Sequence, residues 1–250
     1  VSESYEPGST FKPVTVASAL EEGVVKDGDT YVCKGFETVA DYKLKCHVFS
    51  TIGSHGSLTV EQALMNSCNP YMIHLALEMG NSRFAYYQSL FGFGKITGID
   101  LPGETTGIVY GDRMTTIDAA CNSFGQTINM MQMMAAYCSI INGGMLYQPH
   151  IVKRIESANG EVVKEYKANL VRQTITASTS KLLRRYLKNT VEEGTAKKAG
   201  VTGYSVAGKT GTAQKGDRKD NKWIISFIGH APAENPKFAI YVVIDEPYGT

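Results

Sequence analysis

The chain has 250 residues, 43% of them apolar, with 25 basic against 24 acidic side chains and a net charge of +1. That size and composition fit one folded domain with a core of its own, and so balanced a charge gives no footing for nucleic acid or an anionic membrane surface. No run reaches the ~18 apolar residues of a membrane helix; the closest, 130–141, is interrupted by Gln132 and reads as a core helix. No signal peptide is recognised, and the opening Val1-Ser2-Glu3 reads as the start of an excised fragment.

Pro7-Gly8 forms a turn, and a helix starts at Ser9, with Phe11, Val14, Ala17 and Leu20 at helical spacing. Residues 26–56 have no clean period and are expected to be irregular, with short strands near 31–33 and 43–46. Thr59-Val60-Glu61-Gln62 has the form of a capping box, so a helix should run from Val60 to about Asn66. Pro70 restarts a helix that Gly80 ends, which leaves Ser67-Cys68-Asn69 in a polar break between two helices. Further helices are expected over 82–90, 116–123, 130–142 and 178–193. The period then changes. Segments 205–215, 223–230 and 238–245 read as strands, with turns at Gly216-Asp217 and Glu234-Asn235-Pro236. Helices first and an antiparallel meander last make the class α+β. His74, Cys121, Cys138 and the methionines at 130, 131, 133 and 134 read as core residues.

Three short motifs carry chemistry. Ser9 and Lys12 lie at i and i+3, which share a helix face. A serine hydroxyl needs a base to become a nucleophile, and a lysine serves once burial or a second cation lowers its pKa. Lys209, in Lys209-Thr210-Gly211-Thr212, is the candidate second cation, and Ser67-Cys68-Asn69 lies between. The Ser-x-x-Lys pattern alone is weak, arising by chance roughly once in a chain of this size. Ser178-Thr179-Ser180-Lys181 is a second copy, and Ser157-Ala158-Asn159 repeats the middle motif. Order along the chain sets these aside: the first reads as a surface helix, the second as a hairpin turn. Lys-Thr-Gly occurs once.

The flanks make the pattern specific. Tyr5-Glu6-Pro7-Gly8-Ser9-Thr10-Phe11-Lys12, Ala63-Leu64-Met65-Asn66-Ser67-Cys68-Asn69 and Gly208-Lys209-Thr210-Gly211-Thr212-Ala213-Gln214 resemble the three motifs of class B penicillin-binding proteins. Gly98-Ile99-Asp100-Leu101-Pro102-Gly103-Glu104, Ser123-Phe124-Gly125-Gln126 and Glu193-Gly194-Thr195-Ala196 also match familiar stretches. The similarity spans the chain and is greatest to the division and sporulation enzymes of Gram-positive bacteria. It implies the penicillin-binding-protein/β-lactamase-like fold, an antiparallel sheet flanked by helices. Residues 1–250 would be a transpeptidase domain, a fragment lacking an N-terminal pedestal, a membrane anchor and a C-terminal helix.

The resemblance implies roles. Ser9 is the acylated nucleophile and Lys12 its base; Ser67, near Lys209, passes a proton toward the leaving amine. Asn69 binds the substrate peptide, Thr210, Gly211 and Thr212 hold its carboxylate end, and backbone N–H groups of Ser9 and Thr212 form the oxyanion hole. The reaction is D,D-transpeptidation of peptidoglycan stem peptides through a serine acyl-enzyme, inhibited by β-lactams. It needs no cofactor. The setting is the extracytoplasmic face of the bacterial membrane, with a membrane glycosyltransferase as partner and no nucleic acid. A D,D-carboxypeptidase, a β-lactamase and a penicillin sensor would share the nucleophile. Glu104, in a loop that resembles the penicillin-binding proteins, reads as structural, which leaves no carboxylate to speed deacylation.

Cys33, Cys46, His55 and Cys68 match a Cys₃His structural zinc set in residue type, though their spacings are wider than those of zinc fingers. Asp41 and His47 are substitute ligands. A Cys33–Cys46 disulfide, suited to an oxidising compartment, and buried free thiols are the competing readings.

Overall fold

The computed structural model describes residues 1–216 and 220–248. The chain enters through a two-residue strand, β1 (Ser4–Tyr5), and a 3-10 turn, Gly8–Phe11, which leads into α1 (Lys12–Glu22). Pro13 in the first turn of α1 loses no hydrogen bond there, and Gly23 at φ 79° ends the helix. The expected helix at Ser9 is thus a tight turn for its first residues and an α-helix only from Lys12.

Segment 26–56 is more ordered than its composition suggests. Strand β2 (Thr30–Cys33) is followed by a hairpin, β3 (Phe36–Val39) and β4 (Tyr42–Lys45), and then β5 (Gly56–Thr59). β2 pairs with β5 so that Cys33 faces Gly56; β3 pairs with β4, from Phe36 opposite Lys45 to Val39 opposite Tyr42. The Thr59 capping box is present: its hydroxyl accepts from Gln62 N–H, and the Gln62 side chain accepts from Thr59 N–H. It opens α2 (Val60–Met65). After Ser67-Cys68, α3 (Asn69–Met79) and α4 (Asn81–Leu90) follow, hinged at Gly80.

Thr115 and Asn129 form capping boxes for α5 (Thr116–Asn122) and, after β6 (Ile128–Asn129), for α6 (Met130–Ile141). β6 pairs with β1, an association of two residues on each side. β7 (Met145–Gln148), β8 (Arg154–Glu156), β9 (Val162–Glu165) and β10 (Asn169–Gln173) form two small ribbons, β7 with β10 and β8 with β9. The second ribbon turns at 157–161, so Ser157-Ala158-Asn159 is a hairpin turn as expected. α7 (Ala177–Glu192) buries Leu183, Tyr186, Leu187 and Val191 and leaves Ser178 and Lys181 in solvent.

The meander is the largest sheet among the described residues: β11 (Ala207–Lys215), β12 (Lys222–Ala231) and β13 (Phe238–Asp245), in that spatial order and antiparallel. Asp217, in the expected Gly216-Asp217 turn, lies outside the described residues. Helices α1, α6 and α7 meet in a core that includes Phe11, Val14, Met133, Tyr137 and Tyr186, all buried. Three core expectations need correction. Cys121 and Cys138 are half-buried, and His74 is a half-exposed ring stacked on Tyr31 at 4.8 Å. Met133 is core and Met130 is exposed.

His230 on β12 is buried between Tyr137, whose hydroxyl lies 2.8 Å from Nδ1, and the carbonyl of Ala233, 3.2 Å from Nε2. The ring therefore donates from Nε2 and accepts at Nδ1, the neutral tautomer. Burial lowers its pKa from 6.5 to about 4. The unfolded chain takes up a proton near pH 6.5 that the folded chain refuses until about pH 4, so stability is lost as pH falls through that window. The loss is on the order of 3 kcal/mol. His230→Gln keeps both hydrogen bonds without a titrating group; its melting temperature should fall less than the wild type's between pH 6.5 and 4, and equal profiles would refute this role.

Candidate active site

The polar break between α2 and α3 is a strained turn. Ser67 has φ 54°, in the left-handed region that costs a non-glycine residue about 1–2 kcal/mol. Its N–H donates to Leu64 O (3.2 Å) and the Cys68 N–H to Ala63 O (2.9 Å), which finishes α2. The Met65 carbonyl, free at the helix end, accepts from Thr195 N–H (3.0 Å) and Thr195 Oγ1 (3.1 Å). Gly194 permits that approach: a Cβ there would stand 2.7 Å from Met65 O. The Glu193-Gly194-Thr195-Ala196 stretch therefore braces the turn that carries Ser67.

Two lysines converge on this turn. Lys12 Nζ donates to Ser67 O (2.6 Å), Ser67 Oγ (3.0 Å) and Asn69 Oδ1 (2.6 Å). Lys209 Nζ reaches the same Ser67 Oγ at 3.1 Å and its neighbour's carbonyl, Thr210 O, at 3.1 Å. Both side chains are fully buried, and among the described residues neither has a carboxylate partner. Burial lowers the Lys12 pKa from 10.5 to about 8, against the opposing pull of Cys68 and Cys46. Burial, and then the charge of Lys12, push Lys209 well below its ordinary value. An amine so shifted has a neutral fraction near neutral pH, which a base requires. When one amine is neutral, the Ser67 hydroxyl donates to its lone pair.

Ser9 is half-exposed at the mouth of this cluster, and its Oγ makes no hydrogen bond among the described residues. Glycines set its place. Gly8, at φ 57°, lies so close to β11 that a Cβ would stand 2.5 Å from Thr212 O, and a Cβ on Gly211 would stand 2.5 Å from Pro7 O. Gly125 backs the turn from the other side, where a Cβ would be 3.1 Å from Gly8 N. Thr15 Oγ1 donates to Ser123 O (2.7 Å), tying α1 to that same segment. Thr10 Oγ1 donates to Pro7 O (2.9 Å) and meets Tyr241 OH at 3.1 Å, which fastens the turn to β13. Sequence reading took Gly8 as part of a turn and Gly125 and Gly194 only as parts of matched stretches; glycine beside each motif was the available signal. β11 is an edge strand, with β12 on one side and no strand on the other among the described residues. Thr210 is half-buried and Thr212 exposed.

Hydrogen bonds join Lys12 and Lys209 to Ser67, and Lys12 to Asn69; Gly8 and Gly211 set the Ser9 turn against Thr210–Thr212, while no hydrogen bond joins Ser9 to Lys12 among the described residues. In the decoy copies Ser178 and Lys181 are exposed, and Ser157 is half-buried in a hairpin turn whose Ala158 and Asn159 are exposed. Glu104 Oε1 accepts from Thr97 N–H (2.8 Å) and Thr97 Oγ1 (2.7 Å), and Oε2 from Gly98 N–H (3.1 Å). Its carboxylate closes its own loop, as a structural residue should.

Beside the cleft, Cys33, Cys46, His55 and Cys68 gather with their ligand atoms all within 4.8 Å of one another. Cys33 ends β2, Cys46 follows β4, His55 precedes β5 and Cys68 caps α3. His55 Nδ1 is 3.8 Å from Cys33 Sγ and 3.6 Å from Cys46 Sγ. Gly35 N–H donates to Cys33 Sγ at 3.3 Å. A hydrogen bond from Cys68, with help from His47, His55 and the Asn69 N–H, favours the thiolate of Cys46, while the same bond and burial push the Cys68 thiol up. No disulfide joins Cys33 to Cys46. His47 stands 3.8 Å from Cys46 Sγ, at the margin, and Asp41 is outside the group. A tetrahedral ion with bonds of about 2.3 Å to sulfur needs ligand atoms about 3.8 Å apart. Three thiols and an imidazole at these separations fit such an ion.

Residues 1–250 match the family described as penicillin binding protein transpeptidase domain. The chain is 42% identical over 255 residues to stage V sporulation protein D of Bacillus subtilis, covering 99% of this chain and 39% of that protein. It is 32% identical over 254 residues to peptidoglycan D,D-transpeptidase FtsI of Escherichia coli K12, covering 99% of this chain and 40% of that protein. Penicillin-binding protein 3 of Mycobacterium tuberculosis superposes with a TM-score of 0.89 at 28% identity, over 99% of this chain and 58% of that one, in its free form and in complex with aztreonam. The chain thus spans about two fifths of the length of these curated relatives. A motif order, a buried pair of lysines and a match over every residue agree: the chain belongs to the transpeptidase domains of class B penicillin-binding proteins.

Proposed function

We propose that this domain is a peptidoglycan D,D-transpeptidase that works through an acyl-enzyme on Ser9. The observation that carries the reading is the convergence of two carboxylate-free lysine amines on Ser67 Oγ, at 3.0 and 3.1 Å, beside the Ser9 turn. Ser9 Oγ attacks the carbonyl of the penultimate D-alanine, and its proton goes to the neutral amine of Lys12. The tetrahedral oxyanion is held by the backbone N–H groups of Ser9 and Thr212, each such donor being worth about 3 kcal/mol of barrier. Ser67, shared by both lysines, relays a proton to the departing D-alanine amine. An amine from a second stem peptide then attacks the ester, and Ser9 regains its proton. Asn69 binds the peptide backbone, and Thr210 and Thr212, with Gly211 leaving room between them, bind the terminal carboxylate. The free edge of β11 suits an extended peptide laid alongside as an added strand. A β-lactam is attacked in the same way and stays, since Glu104, the carboxylate weighed for activating water, is spent on Thr97 and Gly98.

Peptidoglycan lies outside the cytoplasmic membrane, so the domain works on its extracytoplasmic face, beside a membrane glycosyltransferase that supplies new strands. No described helix is long and apolar enough to cross a membrane.

The four-ligand cluster holds a structural zinc ion in this proposal. A Cys33–Cys46 disulfide would leave His55 and Cys68 without a reason to point at the same centre, and buried free thiols would not need an imidazole 3.6 to 3.8 Å from two of them.

Labelled penicillin should mark the protein at Ser9, and Ser9→Ala should abolish the label. Lys12→Gln should slow acylation by about 10² to 10⁴. Label retained in Ser9→Ala would overturn the nucleophile. Cross-linked product from stem peptides is expected with an acceptor amine present; release of free D-alanine alone would mean a carboxypeptidase, and lasting acylation without peptide turnover a sensor. Protein purified without added metal should contain one zinc per chain; substoichiometric metal with Cys33 and Cys46 oxidised to each other would rule the ion out.

A further inference from the structure

The oxyanion hole of the proposed reaction takes its two donors from different elements, Ser9 N–H from the turn at Gly8–Phe11 and Thr212 N–H from β11. Their spacing depends on how that turn sits on the sheet. Among the described residues a single hydrogen bond joins turn and sheet, the 3.1 Å contact between Thr10 Oγ1 and Tyr241 OH. Its direction follows from the protons available. Thr10 spends its one hydroxyl proton on Pro7 O at 2.9 Å, so toward Tyr241 it accepts and the tyrosine donates. Tyr241 stands on β13, two strands away from β11. Gly211 gives the contact room: a Cβ there would be 2.5 Å from Pro7 O, 2.5 Å from Ser226 Oγ and 2.9 Å from Thr10 Cγ2. Two more hydroxyls, Tyr5 OH and Ser226 Oγ, are buried without a hydrogen bond among the described residues, and both stand near the Tyr241 oxygen. That oxygen has given its proton to Thr10 and offers them lone pairs alone. The Tyr5 ring, carried by β1, lies 6.4 Å from that of Tyr241. Burial raises the pKa of both tyrosines, so the hydroxyls act as fixed donors and not as titrating groups.

We infer that Tyr241 is a positioning residue of the oxyanion hole. By donating to Thr10 its hydroxyl fixes the Ser9 turn against β11, and with it the spacing of the Ser9 and Thr212 N–H groups. Tyr241 touches neither substrate nor the reacting atoms. Contact at Gly8 and Gly211 brings turn and strand close, but nonbonded contact is not directional, whereas a hydrogen bond weakens steeply when its partners slide. Each oxyanion donor must stand about 2.7–3.1 Å from the developing charge, so a small slide of the turn is felt in the transition state and hardly in substrate binding. The inference rests on the acyl-enzyme reading of Ser9, and the test separates the two.

Tyr241→Phe keeps the ring and removes the donor. Acylation rates are measured with a depsipeptide ester and with its thiono analogue, in which sulfur replaces the oxygen of the scissile carbonyl, and the adduct is mapped by mass. Sulfur is larger and a weaker acceptor, so a well-spaced oxyanion hole favours the oxygen compound, and a loosened one favours it less. Misfolded protein in a sample lowers both rates alike and leaves their ratio unchanged. In Tyr241→Phe the oxygen ester should acylate Ser9 roughly tenfold more slowly, less than the ~10² to 10³ lost with a whole donor, and the oxygen-to-sulfur ratio should fall about threefold. Thr10→Val removes the acceptor of the same bond and should match it, and the double variant should be no slower than either single one. Thr10→Ser keeps the hydroxyl and should retain the wild-type ratio. An oxygen-ester rate in Tyr241→Phe equal to the wild type's overturns the inference. So does a slower rate with an unchanged ratio, which marks a merely structural role, and so do additive losses in the double variant. Wild-type protein that gains no adduct on Ser9 overturns the acyl-enzyme reading itself; a Ser9 adduct with an unchanged ratio in the variant overturns the positioning role alone. Should Tyr241→Phe fail to fold, the comparison of Thr10→Val with Thr10→Ser decides by the same ratio.

Discussion

Two amine-bearing side chains meet one hydroxyl in the interior, and among the described residues no carboxylate pairs with either. Burying even one unpaired ammonium costs several kcal/mol. Lys12 and Lys209 meet that cost partly by losing affinity for protons and partly through neutral oxygens: Ser67 O, Ser67 Oγ, Asn69 Oδ1 and Thr210 O. Those oxygens come from two places in the chain, and the amines from two, three elements in all. The rest of the architecture can be understood as what keeps them in register: α1 carries Lys12, the α2–α3 break carries Ser67 and Asn69, and β11 carries Lys209. A cationic pair of this kind stores the basicity needed for acyl transfer, and the fold supplies the stability that the site gives up.

The nucleophile is positioned differently, by absence of side-chain mass. Gly8 and Gly211 let the Ser9 turn and the β11 backbone approach within distances no Cβ would tolerate, and Gly125 packs closely behind Gly8. Packing at these points is backbone against backbone, which is stiff. The mouth of the cleft is therefore rigid on the β11 side, while the α2–α3 side depends on a strained serine and on what holds Cys68. The two walls are secured by different means, glycine contact on one and thiol gathering on the other.

Much of this was legible in the sequence because it is local. The Thr59 capping box, the Pro70 restart, the change from helical to strand period near 205 and the three motifs each lie within a few residues of one another. What escaped was either nonlocal or without pattern. β1 and β6 contribute two residues each from opposite ends of the helical region. Every residue of β8 and β9 is exposed, so neither strand shows alternation. The β3–β4 hairpin turns at Ala40, which takes φ 50° where a glycine or asparagine would have announced the turn. The convergence of Cys33, Cys46, His55 and Cys68 was visible as a residue set, but their wide spacing gave no geometry; the hairpin that brings Cys46 to Cys33 supplies it. That Lys12 spends its donors on Ser67 and Asn69, with Ser9 outside that set, has no sequence signature.

The contact between Lys209 and Ser67 joins residues 142 positions apart. Contacts across such separations close late, because the entropy of the intervening chain must be lost first. The contacts of Lys12 with Ser67 and Asn69 span only 55 and 57 positions, and every thiol or imidazole of the cluster lies before residue 69. Order of assembly is thus written into the topology. A chain folding from its N-terminal part can bury Lys12 and gather its cysteines while the third motif is still distant. The second cation arrives with the last sheet, and so do the strands that seat the Ser9 turn, so nucleophile and second cation come into position together.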